Sequence, residues 1–449
     1  MSKFKITGGI PLHGEVTISG AKNATLPILA ATLLADSPST LHNVPNISDV
    51  HSFLALLEQL GAKTNFQTSE NGIGGTVTVD PSELKNTPLS GEKVCHMRAS
   101  ILFLGPLLAR FGEAKIDFPG GCVLGKRSVH AHVHALTSLG SQLTESTTQI
   151  HLTATSNADS PGHLTPAKII MAEASVTATE NAIMAAALTP GTTEIRWAAM
   201  EPHVQDLCNF ISAMGVKIEG IGTHTLIVHG QPTGENHSSP LTGTTHTVTP
   251  DYLEAGTFAL AAVLTNGEIT INNCPTEQLD SFWQKLEEVG AKFTLHDNRA
   301  QIHKHSPEGE SSDEKSHGLH AIEQLKTAVF PGFATDLQAP FTVLLTQCQG
   351  ESRVHETLFE GRLNYLEELK KMGAASYLQN PQQATITGPS PLQGTTVKSC
   401  DIRAGAAVVL AALVAEGEST ITDIVYTDRG YEKFEEKLRG LGAKIEREA

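Results

Sequence analysis

Ten consecutive residues, Phe118-Pro119-Gly120-Gly121-Cys122-Val123-Leu124-Gly125-Lys126-Arg127, carry one thiol, three glycines and two adjacent cations. Glycines leave the backbone free to bend and close over a ligand. A thiol near Lys126 and Arg127 sits in a positive field that favours its reactive thiolate. A loop holding a small buried cysteine satisfies the same residues. Two carboxylates, Asp251 and Asp336, stand where helical patterns begin. Among arginines a carboxylate stays ionised and can take a proton as a general base; alone, either is an ordinary helix N-cap. His130, His132 and His134 suggest a metal at first sight. No carboxylate accompanies them at ligand spacing, so they read as solvated or substrate-contacting side chains.

The elements that position these groups recur six times. An apolar residue, a glycine and a small residue follow a helical pattern at Gly61, Gly140, Gly215, Gly290, Gly373 and Gly442, with intervals of 79, 75, 75, 83 and 69 residues. A glycine there predicts a helix C-cap before a strand. Each unit reads as a small-residue apolar helix, a strand, an amphipathic helix ending at the glycine, and one or two further strands. The first helices are expected at Ala24–Leu34, Ala99–Leu108, Ala178–Leu188, Leu253–Leu264, Leu337–Leu345 and Ala404–Leu413, and second helices at Asp49–Leu60 and Tyr431–Leu441, for example. The sixth unit is short, and about 20 N-terminal residues would complete it. The polar stretch 230–246 marks a boundary. The fold class is therefore α/β: two domains, 21–248 and 1–20 plus 249–449, each of three βαβαββ-type units, with the two crossings forming a hinge. Lys304–His317 reads as a solvated insertion.

Aligned on the glycines, helix starts carry Lys22, Arg98, Arg127, Arg362, Arg403 and Arg429. Cations there oppose the helix dipole unless an anion lies between. Backbone N–H groups and guanidinium together make an anion site, and six at matching places point to one anion-binding cleft. The alternative pairs them with neighbouring acids, Asp401 with Arg403 and Asp428 with Arg429.

Composition limits the rest. The formal charge is −16, the opposite of a nucleic-acid binder's bias. No apolar run reaches bilayer length, and no signal-peptide core follows Met1-Ser2-Lys3-Phe4-Lys5-Ile6, so a cytoplasmic location is expected. The six cysteines form no C-x-x-C pair. P-loop and dinucleotide fingerprints are missing too.

The repeats, the basic helix starts and the Gly-Gly-Cys loop resemble the enolpyruvyl transferases, and among them those acting on UDP-N-acetylglucosamine. The likeness runs from Ile18 to Glu446. It includes Ser19-Gly20-Ala21-Lys22-Asn23-Ala24, Met97-Arg98-Ala99-Ser100, Pro119-Gly120-Gly121-Cys122, Thr335-Asp336-Leu337-Gln338, Asp401-Ile402-Arg403-Ala404 and Asp428-Arg429-Gly430-Tyr431-Glu432. The resemblance implies two inside-out α/β domains, helices within and sheets outside. It also implies transfer of enolpyruvyl from phosphoenolpyruvate to the sugar 3'-hydroxyl in peptidoglycan synthesis, without cofactor or metal, by a monomer. Cys122 would protonate C3 of phosphoenolpyruvate and be the residue that fosfomycin alkylates. Asp336 would take the hydroxyl proton. Lys22, Asn23, Arg127, Arg403 and Arg429 would surround phosphoenolpyruvate. Asn23, Arg98, Arg127, Ser128, Val129, Ser175, Val176, Asp336 and Leu358 would contact the sugar nucleotide, with Glu360 and Arg362 in a family E-x-R stretch nearby. A proton donor must be protonated although Lys126 and Arg127 favour thiolate; bound phosphoenolpyruvate, itself anionic, pushes the thiol back up.

Two stretches depart from the family pattern. Where Pro-Val-Asp-Leu often follows the arginine, this chain has Ser128-Val129-His130-Ala131. Where many members read Lys-Val-Ser-Val-Gly, it has Glu173-Ala174-Ser175-Val176-Thr177. Both match nucleotide-contacting segments. Rival readings are 5-enolpyruvylshikimate-3-phosphate synthase, a transferase for another nucleotide sugar, and a silent paralogue that senses UDP-sugars.

Overall fold

The computed structural model describes residues 2–70, 72–120, 128–144, 146–155, 163–304 and 318–448. These fall into two compact units, unit one within residues 20–249 and unit two within 1–19 and 250–449. The Cys122 loop from Gly121 to Arg127, and most of the 304–317 insertion, lie outside the described residues.

The first helices of the six repeats are α1 (Lys22–Ala31), α2 (Leu104–Phe111), α3 (Val176–Ala187), α4 (Tyr252–Leu264), α5 (Thr335–Leu345) and α6 (Ile402–Val414). They are made of small and aliphatic residues with no polar face, so they can only sit inside. Every residue of α4 is buried, and so is α6 from Arg403 to Leu413. In unit two α4, α5 and α6 pack against one another; in unit one α3 packs on both α1 and α2. Close approach sets composition at Gly256 of α4, where a Cβ would meet Leu337 Cδ1 of α5 at 2.8 Å. The expected helix Ala99–Leu108 divides into a 3-10 turn, Arg98–Phe103, and α2. Pro106 has no N–H to give and is tolerated in a first turn, which is where the division puts it.

Small sheets cover this helical core. Their strands alternate, as in Gly75–Asp80, where every second residue is buried. All six unit glycines, Gly61 to Gly442, have φ between +83° and +114°, the left-handed turn that closes a helix before a strand. In five repeats a short edge strand lies parallel to the strand after the first helix. In repeats one and four that edge strand comes from the crossing chain. His13–Thr17 joins the unit-two sheet beside Glu268–Asn272, and Thr245–Thr247 joins the unit-one sheet beside Ser39–Val44. Lys3–Thr7 enters the sixth repeat between Glu418–Thr422 and Lys444–Glu448. The N-terminal segment thus serves two sheets, where the sequence suggested completion of one unit.

Both crossings are held in the same way. Ile18 N–H donates to Asn272 O at 3.0 Å and Ile18 O accepts from Asn273 Nδ2 at 3.0 Å. Val248 N–H donates to His42 O at 3.0 Å and Val248 O accepts from Asn43 Nδ2 at 2.9 Å. Asn43 and Asn273 both have φ +57°, a left-handed backbone that asparagine tolerates better than most residues. At the crossing itself, Gly20 admits no side chain: a Cβ would lie 1.7 Å from Asn43 O.

The last residue of unit two before this crossing, Ser19, ends in a buried polar network. Ser19 N–H donates to Glu254 Oε2 at 2.8 Å, Ser19 Oγ donates to Glu432 Oε2 at 2.7 Å, and Lys437 Nζ donates to Ser19 Oγ at 2.7 Å and to Glu254 Oε1 at 2.6 Å. Burial raises the Glu254 carboxyl and Lys437 opposes that rise. Removing the ammonium strands a carboxylate in the core. Lys437→Met is therefore expected to cost about 3–5 kcal/mol of stability, read from urea denaturation midpoints. The deficit should grow as pH rises through the elevated Glu254 value, because a raised acid withdraws stability on ionising. Adding Glu254→Gln should recover part of the loss.

Candidate active site

In unit one, Lys22 opens α1 and is nearly buried. Its Nζ lies 2.6 Å from Asp49 Oδ2, in the first turn of the second helix Ser48–Gln59. Asn23 follows it, half-buried. Arg98 heads the 3-10 turn before α2 and donates from Nη2 to Ser128 O at 2.9 Å. Ser128 Oγ in turn accepts from His130 N–H at 2.9 Å, and Val129 is the N-cap of the second helix His130–Ser138. Ser175 is the N-cap of α3 but makes no side-chain capping bond, and Val176 is its first helical residue. Cys122, Lys126 and Arg127 lie outside the described residues.

Of the three histidines, His130 is exposed and its ring centroid lies 6.1 Å from that of His134. His134 Nε2 is 2.9 Å from Ile170 O. His132 is not solvated. It is 2% exposed and bonded to Asn181 and Thr177, because the helix turns it toward α3.

In unit two the equivalent helix starts hold acids and arginines in direct contact. Asp251 is a true N-cap of α4, accepting from Leu253 N–H at 2.8 Å and Glu254 N–H at 3.2 Å. Asp336 is not a cap. It is the second residue of α5, whose N-cap Ala334 supplies no side-chain bond. Its carboxylate is shared instead: Arg362 Nη2 to Oδ1 at 2.6 Å and Arg403 Nε to Oδ2 at 3.0 Å. Burial raises the Asp336 carboxyl, but Arg362 and Arg403 outweigh it and hold the group well below the usual carboxylate range. The Arg403 guanidinium also lies 5.1 Å from the Tyr431 ring centroid, and Tyr431 Oη is 3.0 Å from Thr257 Oγ1 of α4. Among the described residues, Arg362 Nε and Arg403 Nη1 are buried without an acceptor.

The neighbouring acids also make bonds of their own. Asp401 spends its carboxylate capping α6 through the N–H groups of Arg403 and Ala404, both at 2.8 Å. Asp428 is bonded by Arg447 at 2.7 and 2.9 Å. Arg429 follows the short helix Val425–Asp428, and the second helix of that repeat runs only from Phe434 to Gly440, not from Tyr431. The break lies at Lys433, with φ +49°. Glu356 ties the site's last loop to α5. It accepts from Thr335 Oγ1 at 2.7 Å and from Leu358 N–H at 2.9 Å, which leaves the Leu358 side chain 39% exposed. Glu360 is exposed, and Arg362 opens the next 3-10 turn.

Such a geometry fits comparison with known proteins. The EPSP synthase (3-phosphoshikimate 1-carboxyvinyltransferase) family profile matches residues 6–438. The chain belongs to this family, the enolpyruvyl transferases. Two curated relatives, both UDP-N-acetylglucosamine 1-carboxyvinyltransferases, match all of this chain. That of Koribacter versatilis is 41% identical, with 96% of its own length covered. That of Dichelobacter nodosus is 42% identical, with 99% covered. Among solved structures, the enolpyruvyl transferase NikO from Streptomyces tendae superposes with a TM-score of 0.84 at 24% identity, covering 100% of this chain and 99% of NikO. EPSP synthase from Acinetobacter baumannii gives 0.68 at 17% identity, with 100% of both chains covered. The enolpyruvyl transferase has the two-domain α/β fold of repeated units, and enolpyruvyl transfer is its reaction type. No helix among the described residues is long and apolar enough to cross a membrane.

The Asp336 clasp has a pH signature. A depressed carboxyl adds stability that is present above the unfolded value, near pH 3.9, and is lost as pH falls through the folded one. The Asp336 side chain is 26% exposed, so solvent screens part of the effect. Asp336→Asn is expected to cost about 2–3 kcal/mol at neutral pH. The gap in denaturation midpoint between the parent and the variant should close as pH drops below about 4.

Proposed function

We propose that the enzyme transfers enolpyruvyl from phosphoenolpyruvate to the 3'-hydroxyl of UDP-N-acetylglucosamine with release of inorganic phosphate, the committing step of peptidoglycan synthesis. The observation that carries this reading is the whole-length likeness, at 41% and 42% identity, to two relatives named for that reaction. The hydroxyl oxygen bonds to C2 of phosphoenolpyruvate while C3 takes a proton. The tetrahedral adduct then loses phosphate and a C3 proton to give the enol ether. In this reading Cys122 gives the C3 proton and Asp336 receives the hydroxyl proton. Lys22, Arg127, Arg403 and Arg429 hold the phosphate and carboxylate of phosphoenolpyruvate, with Asn23 beside them. Arg98, Ser128, Val129, Ser175, Val176 and Leu358 contact the sugar nucleotide. No cofactor is needed, and both substrates are water-soluble molecules of the cytoplasm.

The clasp on Asp336 fits this reading through its electrostatics. A carboxylate held low by two guanidiniums is a weak base. An anionic substrate drawing on the same guanidiniums relaxes that hold, and the buried donors Arg362 Nε and Arg403 Nη1 remain available to it. Base strength then appears when the anion is bound. Preorganised charge of this kind is the largest catalytic contribution in many enzymes.

Phosphate release tests the reading, with phosphoenolpyruvate and either UDP-N-acetylglucosamine or shikimate-3-phosphate as acceptor. Release with the sugar nucleotide alone is expected. Release with shikimate-3-phosphate alone would replace the acceptor. Cys122→Ser should lower turnover by about 10²–10⁴ and prevent fosfomycin labelling; a fully active variant would remove the thiol from its role.

A further inference from the structure

Tyr431 lies in the core of unit two, 2% exposed, and its bonds show what it presents to Arg403. Thr257 Oγ1, on α4, donates its one hydrogen to Leu253 O at 2.8 Å, a turn earlier in the helix. Toward Tyr431 Oη, 3.0 Å away, the threonine can then only accept. The phenol hydrogen therefore points at α4 and ties down the edge of the ring. Packing holds the rest: the Phe434 ring lies 4.7 Å away at 30°, and Phe434 in turn meets Phe258 of α4 edge-on at 5.7 Å. Burial raises the phenol above its ordinary value, with Arg403 opposing, so it carries no charge near neutrality. What Tyr431 offers the Arg403 guanidinium, 5.1 Å from its ring centroid, is a neutral aromatic face.

Arg403 is itself 4% exposed and is held in two different ways. Its Nε bonds Asp336 Oδ2 at 3.0 Å, and its guanidinium rests over the Tyr431 ring. Its Nη1 is buried without an acceptor among the described residues. Asp251 also lies near, but its bonds go to the first turn of α4. The hold through Asp336 varies: it weakens when that carboxylate takes a proton, or when another anion competes for the guanidinium. The hold through Tyr431 is constant, because the ring is neutral and locked. We infer that Tyr431 is a positioning residue for enolpyruvyl transfer: its aromatic face keeps Arg403 in place while Asp336 changes partners, so that Nη1 stays available to the anion. The inference rests on the reading above in which Arg403 holds phosphoenolpyruvate. A ring suits this role better than a further carboxylate bonded to the guanidinium. The carboxylate would repel the same anion, whereas the ring attracts the cation through its quadrupole and leaves its net charge intact.

The test uses the full chain, with Tyr431 replaced by phenylalanine and by its mono-, di- and trifluorinated forms. These keep the shape of the ring and strip negative potential from its face step by step. Phosphate release is followed with phosphoenolpyruvate and UDP-N-acetylglucosamine. Tyr431→Phe should stay within about fivefold of the parent, because one hydroxyl bond is lost and the face is kept. From phenylalanine to the trifluoro form, KM for phosphoenolpyruvate should rise with each fluorine, by about tenfold in all, while KM for UDP-N-acetylglucosamine stays within about twofold. A tyrosine that only fills the core would give the same KM for phosphoenolpyruvate throughout the series. That result, or a rise shared equally by both substrates, overturns the inference and leaves the substrate reading intact. Failure of the parent protein to release phosphate from phosphoenolpyruvate and the sugar nucleotide overturns both.

Discussion

A helix buried on every side can meet a ligand only at its ends. This constraint governs the enzyme's architecture. With α4 buried throughout and α6 buried from its second residue, no flank is free to carry a polar site. The first turns are different: their N–H groups have no partners within the helix. In α4, α5 and α6 charge is therefore confined to those turns, and in several repeats the starts of the first and second helices touch. Lys22 meets Asp49, Arg98 meets Ser128, and Asp336 meets Arg362. Buried charges are tolerated when paired and hydrogen-bonded, so the repeat geometry that creates these sites also supplies the partners that make them affordable.

The same constraint gives the two crossings their importance. Each crossing chain is an edge strand in one unit's sheet and, a few residues later, the first turn of a buried helix in the other. Ala21 N–H donates to Thr249 O at 2.8 Å within unit one, and Asp251 N–H donates to Ser19 O at 2.9 Å within unit two. Lys22 thus follows directly after a residue bonded to the opposite crossing strand, and Asp251 makes such a bond itself. Asn43 and Asn273 repeat the arrangement one strand further out. Glu254, Glu432 and Lys437 around Ser19 hold the chain at that point.

Periodic features of this fold were legible in the sequence because they depend on near neighbours. A glycine after an amphipathic run closes a helix whatever the rest of the chain does, and all six have positive φ. The first helices follow from apolar composition alone. Which groups meet across the fold is a long-range matter, and there the reading fell short. Asp401 looked like a partner for Arg403 by adjacency, but the carboxylate is better used on two backbone N–H groups of its own helix, and Arg403 reaches across 67 residues to Asp336. Burial of His132 depends on where α3 lies, which its own helix cannot disclose. A signal did exist: a helix of small apolar residues with Glu180-Asn181 in its second turn needs buried polar partners.

Asp251 and Asp336 show how far the repeat determines chemistry. Both stand at the start of a first helix, and both lie near Arg403. The Asp251 carboxyl is raised by burial, against Arg403 and two backbone donors, while the Asp336 carboxyl is lowered by Arg362 and Arg403 in spite of burial. The difference lies in the position relative to the helix start. Asp251 is itself the N-cap, so its oxygen is turned back on α4. Asp336 is one residue into the first turn behind Thr335, past the capping geometry, so its oxygens face outward to the arginines of repeats five and six. A shift of two positions relative to the helix start converts a structural acid into one whose charge is set by guanidiniums, and whose basicity therefore depends on what else those guanidiniums bind. The repeat supplies the location; the register of the side chain within the first turn decides whether that location caps a helix or pairs with guanidiniums.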